Sequence, residues 1–427
     1  MVKELLLFSR IKLAYIFLAI FIIFFLLMHS PNSVDYDALS YINFYGARPP
    51  LYPMFIWIFH WAGNYQFKFV VWTHAIITFS SLLYARRWLK TRLKINDFLI
   101  FIVFCIVTVT ILFHFQLMLI GAEGLTFPFF IWIFFLLIEC FNKFDLKKIL
   151  YLSIWVSVII LTRLQFYYFY GIYIVLILWY FLKGVPIKKV GSAVIIFLAL
   201  ALLTGIIGRS YQYIKFGVYS TEPATGKLLI VQALYLTKSD SPLPDFRTKN
   251  ERQYAENMLS MIYENKLNKE ASLLLSTKPS YYELAYEEYN KNYIAINDIV
   301  SKVLSNLTPY QFNEITQDIS KTLFFNNPKE NFLFILWKFI VFIGGIPLFL
   351  FFLIIVSACI PAMFFCKKNK FCYVHFFVLV SILVIFLNAA TVSLFEAYTS
   401  PYFCYSQFLL YCLAALFSDR LFFNKET

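Results

Sequence analysis

Long apolar runs separated by short clusters of lysine and arginine constrain this 427-residue chain more than any other feature. A helix crosses the bilayer core with about 20 consecutive apolar residues, and runs near that length recur from one end of the sequence to the other. The chain is 61% hydrophobic and 14% charged. Soluble domains run at about half and about a quarter, so there is too little polar surface here to cover a core of this size in water. The expected fold is an all-α polytopic membrane protein with about ten transmembrane helices. The expected spans are residues 13–27, 69–84, 98–113, 124–141, 149–161, 166–182, 190–207, 332–365, 373–395 and 402–417, the eighth broken at Gly344-Gly345.

The formal net charge of +13 does not point to nucleic acid, because of where the cations sit. Arg86, Arg87, Lys90, Arg92 and Lys94 form one cluster, and Lys143, Lys147 and Lys148 a second. Lys183, Lys188 and Lys189 form a third, and Lys367, Lys368 and Lys370 a fourth. Each lies between apolar runs, as cytoplasmic loops do under the positive-inside rule. Residues 209–330 have nearly balanced charge and read as extracytoplasmic. The first apolar run follows Lys3, Arg10 and Lys12 and precedes His29-Ser30-Pro31-Asn32, with no small-residue cleavage site. It reads as a retained first span, which places both termini in the cytoplasm.

Three regions follow: a membrane half, 1–208, with a first outer loop at 30–68; an extracytoplasmic, mainly helical domain, 209–331; and C-terminal spans, 332–427. In the outer domain, residues 250–275 and 281–304 carry apolar side chains at three-and-four spacing among charges, the pattern of amphipathic helices. None of the seven cysteines lies in that domain, and none has zinc-type spacing, so neither a disulfide framework nor a metal knot is expected. Low Gly and Pro content with many Lys, Ile, Phe and Asn fits an AT-rich bacterial genome, and sets a bacterial inner membrane as the expected location.

The first outer loop holds the densest chemistry. It reads Asp35-Tyr36-Asp37-Ala38-Leu39-Ser40-Tyr41, then Ala47-Arg48-Pro49-Pro50-Leu51-Tyr52-Pro53. Asp37 and Tyr41 are one helical turn apart and would share a face. The two prolines are expected to extend the backbone and re-aim it. Residues 51–61 are apolar but too short to span, and read as an interfacial helix. Further on, Ile120-Gly121-Ala122-Glu123-Gly124-Leu125 opens the fourth span, and Leu161-Thr162-Arg163-Leu164 closes the fifth. On the expected topology Asp37, Glu123 and Arg163 all lie on the outer, periplasmic side.

Each has a plain structural alternative. Asp35 and Asp37 can be solvated loop residues. Glu123 can be a carboxylate favoured by a helix dipole, and Arg163 a snorkelling anchor. His60 and His74 read as interfacial or packed.

Taken together, Asp-x-x-x-Tyr after the first span, Arg-Pro-Pro-Leu-Tyr-Pro, the Glu123 segment and the Thr-Arg element resemble the C-type (GT-C fold) membrane glycosyltransferases. The nearest branch is that of the dolichyl-phosphate-mannose protein mannosyltransferases and lipid A aminoarabinosyltransferases. The resemblance covers residues 5–220 and implies a GT-C-like catalytic half, with an active site in the first outer loop. It implies that the acidic residue of that loop is the catalytic base: Asp37 by its offset to Tyr41, with Asp35 second and Glu123 as an orienting carboxylate. It implies a polyprenyl-phosphate-sugar donor whose chain lies in the bilayer, and an extracytoplasmic acceptor. Tyr41, Arg48, Tyr52 and Arg163 would bind substrate, the two arginines at the departing phosphate. Asp35 and Asp37 also offer hard oxygen ligands to magnesium or manganese; no other cofactor is implied. The chain departs from the family in having Ala38 where many members carry a second acid, and no arginine in Glu396-Ala397-Tyr398-Thr399-Ser400-Pro401.

Three other readings share these residues. A transporter or flippase of lipid-linked sugars would need ionisable groups or broken helices in mid-membrane, for which Gly344-Gly345 is the hint. A polymerase or ligase would share the donor but not the first-loop motif. A scaffold would use the outer domain alone.

Overall fold

The computed structural model describes residues 2–29, 31, 36–45, 48–116, 120–223, 225–239, 242–274, 281–365, 373–395 and 401–423. For 2–12, 36–37, 114–116, 272–274, 281–286, 360–365 and 401 it describes the backbone alone. Among these residues there is no strand, and the chain is all-helical, as its apolar runs and helix-period stretches require. It divides into two units. The first is Met1–Tyr219 with Phe352–Asn388 and Phe403–Thr427; the second is Ser220–Phe351 with Ala389–Tyr402.

The first unit holds α1 (Val2–Met28), α2 (Tyr36–Ile42), α3 (Leu51–Ile58), α4 (Gln66–Trp88), α5 (Asp97–Val107), α6 (Glu123–Asn142), α7 (Leu146–Thr162), α8 (Tyr168–Leu182) and α9 (Ile187–Phe216). Its centre is α6, which is apolar on every side and buried along almost its whole length. A helix of that kind belongs inside a bundle, and α4, α7 and α8 pack around it. By contrast α9 exposes Ile195, Leu198, Leu202, Leu203 and Ile206, an apolar stripe with lipid as its natural solvent. Pro128 lies inside α6 and withholds the N–H that the Gly124 carbonyl would otherwise accept.

The second unit is built on α10 (Thr225–Leu236), α11 (Lys249–Glu264), α12 (Lys269–Leu274), α13 (Tyr281–Val303), α14 (Pro309–Asn326) and α15 (Pro328–Ile343). Its core gathers Ile230, Val231, Leu234, Ile262, Val300 and Ile319. The helix expected at 250–275 is two helices, because Lys266 takes a left-handed φ of 56° after the Asn265 cap. The central α10 has no polar face and so no amphipathic period to read. It meets α14 so closely that a Cβ on Gly226 would lie 2.2 Å from Thr316 Oγ1.

The seventh expected span lies within α9, which continues past 208 to Phe216 and stops at Gly217, whose left-handed φ of 74° caps it. The expected broken span at 332–365 corresponds to a helix pair, α15 and the helix after Gly345, and within the second unit α15 buries Phe334 and Lys338. Lys338 Nζ donates to Gln232 Oε1 at 3.1 Å and stands 5.1 Å from the centre of the Tyr289 ring. At Gly344 (φ 114°) and Gly345 (φ 88°) the chain bends by 81° into α16 (Ile346–Phe365). The chain closes with α17 (Tyr373–Phe395) and α18 (Cys404–Phe422).

Among the described residues five helical stretches are long and apolar enough to cross a membrane: His60–Leu93, Glu123–Asn142, Leu164–Leu182, Ile187–Phe216 and Tyr373–Phe395; the bent pair makes up to six. Among the described residues Leu13–Met28 and Asp97–Phe113 are shorter apolar stretches, α7 is 17 residues long, and α18 carries Asp419 and Arg420 near its end. Several apolar helices of membrane length are what an integral membrane protein requires.

Candidate functional site

The site is built outward from the first loop. Helix α2 ends in a tight turn: Phe44 N–H donates to the Tyr41 carbonyl at 3.2 Å and Tyr45 N–H to that of Ser40 at 2.9 Å. This is the Schellman pattern, and it puts Phe44 at a φ of 54°, a left-handed position that costs a bulky residue energy. The turn returns the chain so that Arg48 lies back over α2. Arg48 Nε donates to Ser40 Oγ at 2.7 Å and Nη1 to the Tyr41 hydroxyl at 3.4 Å, with the guanidinium 4.5 Å from the Tyr41 ring centre.

Pro50 does not extend the chain here as expected. Pro50 has φ −71° and ψ −30° and caps α3, because the ring holds φ near the helical value. Helix α3 then buries Tyr52, Pro53 and Ile56 against α4 and α7. Its outward face (Met54, Trp57, Ile58) is equally apolar and suits lipid more than water.

From Tyr52 a run of contacts leads inward. Tyr41 meets Tyr52 edge-on at 4.8 Å, and Tyr52 and Phe55 both stack with the His74 imidazole, at 5.8 and 5.5 Å. His74 is packed, as expected, and lies flush against α6: a Cβ on Gly124 would sit 2.2 Å from Nδ1. The next residue back is Glu123, which forms an ion pair with Arg163. Both side chains are largely buried, at 14% and 11% exposure, so neither charge is offset mainly by water. Arg163 takes extended backbone (φ −156°, ψ 125°) and ends α7.

Thus Tyr41, Arg48 and Tyr52 form one contact run that ends at His74 against Gly124, and Glu123, the residue before Gly124, forms a separate pair with Arg163. Asp37 lies in α2 one turn before Tyr41, with its side chain outside the described residues; Asp35, and with it the expected cation pair, lies outside them altogether. Among the described residues no group of three or more His, Cys, Asp or Glu side chains comes together. Residues 396–400 also lie outside the described residues.

Sequence reasoning missed the layer behind the ion pair. Thr126 Oγ1 and the Tyr405 hydroxyl are 2.6 Å apart. Gln165 Nε2 donates to Asn388 Oδ1 at 2.5 Å, and Asn388 Nδ2 to Ser406 Oγ at 3.1 Å. Asn388 and Ser406 are fully buried. The available signal was an amide within an apolar run, since a polar side chain in a membrane helix requires a partner. Lys215 was also missed; its Nζ stands 4.9 Å over the Phe44 ring. Compared with protein-family models, curated proteins and solved structures, the chain matches none.

Proposed function

We propose that this chain is an inverting membrane glycosyltransferase that moves a sugar from a polyprenyl phosphate to an extracytoplasmic acceptor, with a GT-C-like fold of about ten spans. The observation that supports it most is the contact run from Arg48 and Tyr41 through Tyr52 to His74, and from Gly124 to the Glu123–Arg163 pair. Residues of the first-loop motifs meet one another, and their contact run ends beside the residue next to Glu123.

In this reading the acceptor hydroxyl oxygen attacks the anomeric carbon while the bond from that carbon to the phosphate oxygen breaks. The phosphate leaves with the bonding electron pair, and the acceptor proton passes to Asp37. The transition state is oxocarbenium-like. Arg163, with Arg48, takes up charge on the departing phosphate; Glu123 holds Arg163 until the donor arrives, and Tyr41 and Tyr52 line the sugar side. The location is a bacterial inner membrane with both termini inside. The test is transfer of a labelled sugar from a polyprenyl phosphate by the purified chain, against Asp37→Asn. No transfer across a panel of donors and acceptors, together with no polyprenyl-phosphate binding, sinks the proposal. A flippase is the second reading, favoured by the 81° break at Gly344-Gly345; donor movement across proteoliposomes without transfer would establish it.

A further inference from the structure

At the end of the first unit where α4, α6 and α18 finish and α5 and α7 begin, two buried carboxylates each hold two cations. Asp97 accepts from Arg86 Nε at 2.8 Å and Nη2 at 2.5 Å, from Lys90 Nζ at 2.9 Å and from the Tyr15 hydroxyl at 3.4 Å. Glu139 pairs with Arg92 Nε at 3.0 Å and Lys148 Nζ at 2.9 Å, and accepts from Trp88 Nε1 at 3.1 Å and the Tyr373 hydroxyl at 3.4 Å. Tyrosine rings back the arginines: Arg86 lies 4.3 Å from the Tyr15 ring centre and Arg92 4.9 Å from that of Tyr373. Asp419 joins the same end by accepting from Asn96 N–H at 2.9 Å.

The stoichiometry matters. Each carboxylate faces two cations, and the same end also holds Arg87, Lys94, Lys143 and Lys147 against Asp145 and Asp419, so among the described residues cations outnumber carboxylates there. The carboxylates are 7% and 11% exposed, whereas Lys90, Arg92 and Lys148 are 39%, 46% and 35% exposed, so the excess charge faces outward. Arg87, Lys94, Lys143 and Lys147 are exposed around it. Charge left over beside a hydrocarbon layer is costly unless an anion lies at the same depth. These clusters stand at the ends of apolar helices, where a bilayer places its headgroup phosphates.

We propose that the Asp97 and Glu139 clusters form a binding site for the phosphodiester of acidic phospholipids, the two carboxylates serving to hold the cations in place. The proposal is independent of the catalytic reading. Its test is thermal unfolding of the full chain in nanodiscs of phosphatidylglycerol or phosphatidylcholine, with native mass spectrometry of retained lipid. The parent is expected to unfold at higher temperature in phosphatidylglycerol and to retain that lipid at least about fivefold over phosphatidylcholine, given about 1 kcal/mol per basic residue near an anionic surface. In Lys90→Gln/Lys148→Gln each carboxylate keeps its arginine, each cluster loses one cation, and the preference should disappear. Lys188→Gln/Lys189→Gln removes two exposed cations that belong to neither cluster and should keep it. Equal loss in both double variants means diffuse surface charge and overturns the site. So does no preference in the parent, a reading that needs no variant to fold. So does a matching stabilisation by millimolar inorganic phosphate in phosphatidylcholine, which would make the ligand free phosphate.

Discussion

Glu123, the first residue of α6, and Arg163, the residue that ends α7, neutralise each other in a largely buried ion pair. Removing one partner of such a pair strands the other charge, at a typical cost of about 3–5 kcal/mol. Arg163→Ala should therefore destabilise strongly, and Arg163→Lys less, since lysine keeps the charge but loses the fork. Glu123→Gln/Arg163→Met removes both charges and should recover most of the stability while transfer stays lost. Thermal unfolding and sugar transfer on the same preparations check this. Full transfer by the double variant would reduce the pair to a brace.

Asp37 should act as the base. It shares α2 with Tyr41 one turn on, whereas Asp35 lies two residues earlier in the sequence, outside the described residues. A general base contributes typically 10²- to 10⁴-fold. Asp37→Asn should lose rate in that range with polyprenyl-phosphate binding kept, and Asp35→Asn should cost much less. The reverse ranking moves the base to Asp35.

Gly124 should tolerate no side chain. A methyl group there would meet His74 Nδ1 at 2.2 Å and Cε1 at 2.6 Å, and His74 is itself held by Tyr52 and Phe55. Gly124→Ala should cost about 1–3 kcal/mol, as overpacking does, and Gly124→Ala/His74→Ser should regain part of it. An unchanged melting temperature in Gly124→Ala would show that the ring moves freely.

Stability of the second unit should depend on pH through Glu222. This residue is buried just ahead of α10, and burial holds its carboxyl above its ordinary 4.5. The folded state then binds the proton more tightly than the unfolded one. Its contribution is fully present below the unfolded value and is lost as pH rises through the folded one. Unfolding followed from pH 4 upward should show this loss, and Glu222→Gln should flatten it and raise stability at neutral pH. Superimposable pH profiles would be the contrary result.

Topology is open to cysteine labelling. Residue 240 should be reached from outside, and residues 90 and 368 from inside, because the basic clusters set the cytoplasmic face. Residues 240 and 368 on one side would overturn the segmentation and with it the placement of the site.

Local chemistry was enough to determine the helical, membrane-type character of the chain, since an apolar run of about 20 residues has few other stable states near a bilayer. It was also enough to single out Tyr41, Arg48, Tyr52, Glu123 and Arg163, because each stands in a short motif with its own geometry. Their contacts were not legible. Pairing Glu123 with Arg163 depends on how α6 packs on α7, and lodging His74 against Gly124 depends on α4 meeting α6 without an intervening side chain. The basic clusters read as solvated loops, yet Asp97 and Glu139 bind four of their cations: three pairs are 7 to 11 residues apart and form where the chain turns between helices, and only Arg92–Glu139, 47 apart, depends on α4 packing on α6. Helix α10 is hidden for the opposite reason: buried on all sides, it carries no polar face from which a period could be read. Sequence reports what each segment prefers by itself; which segments become neighbours is decided only when their apolar faces compete for the same interior.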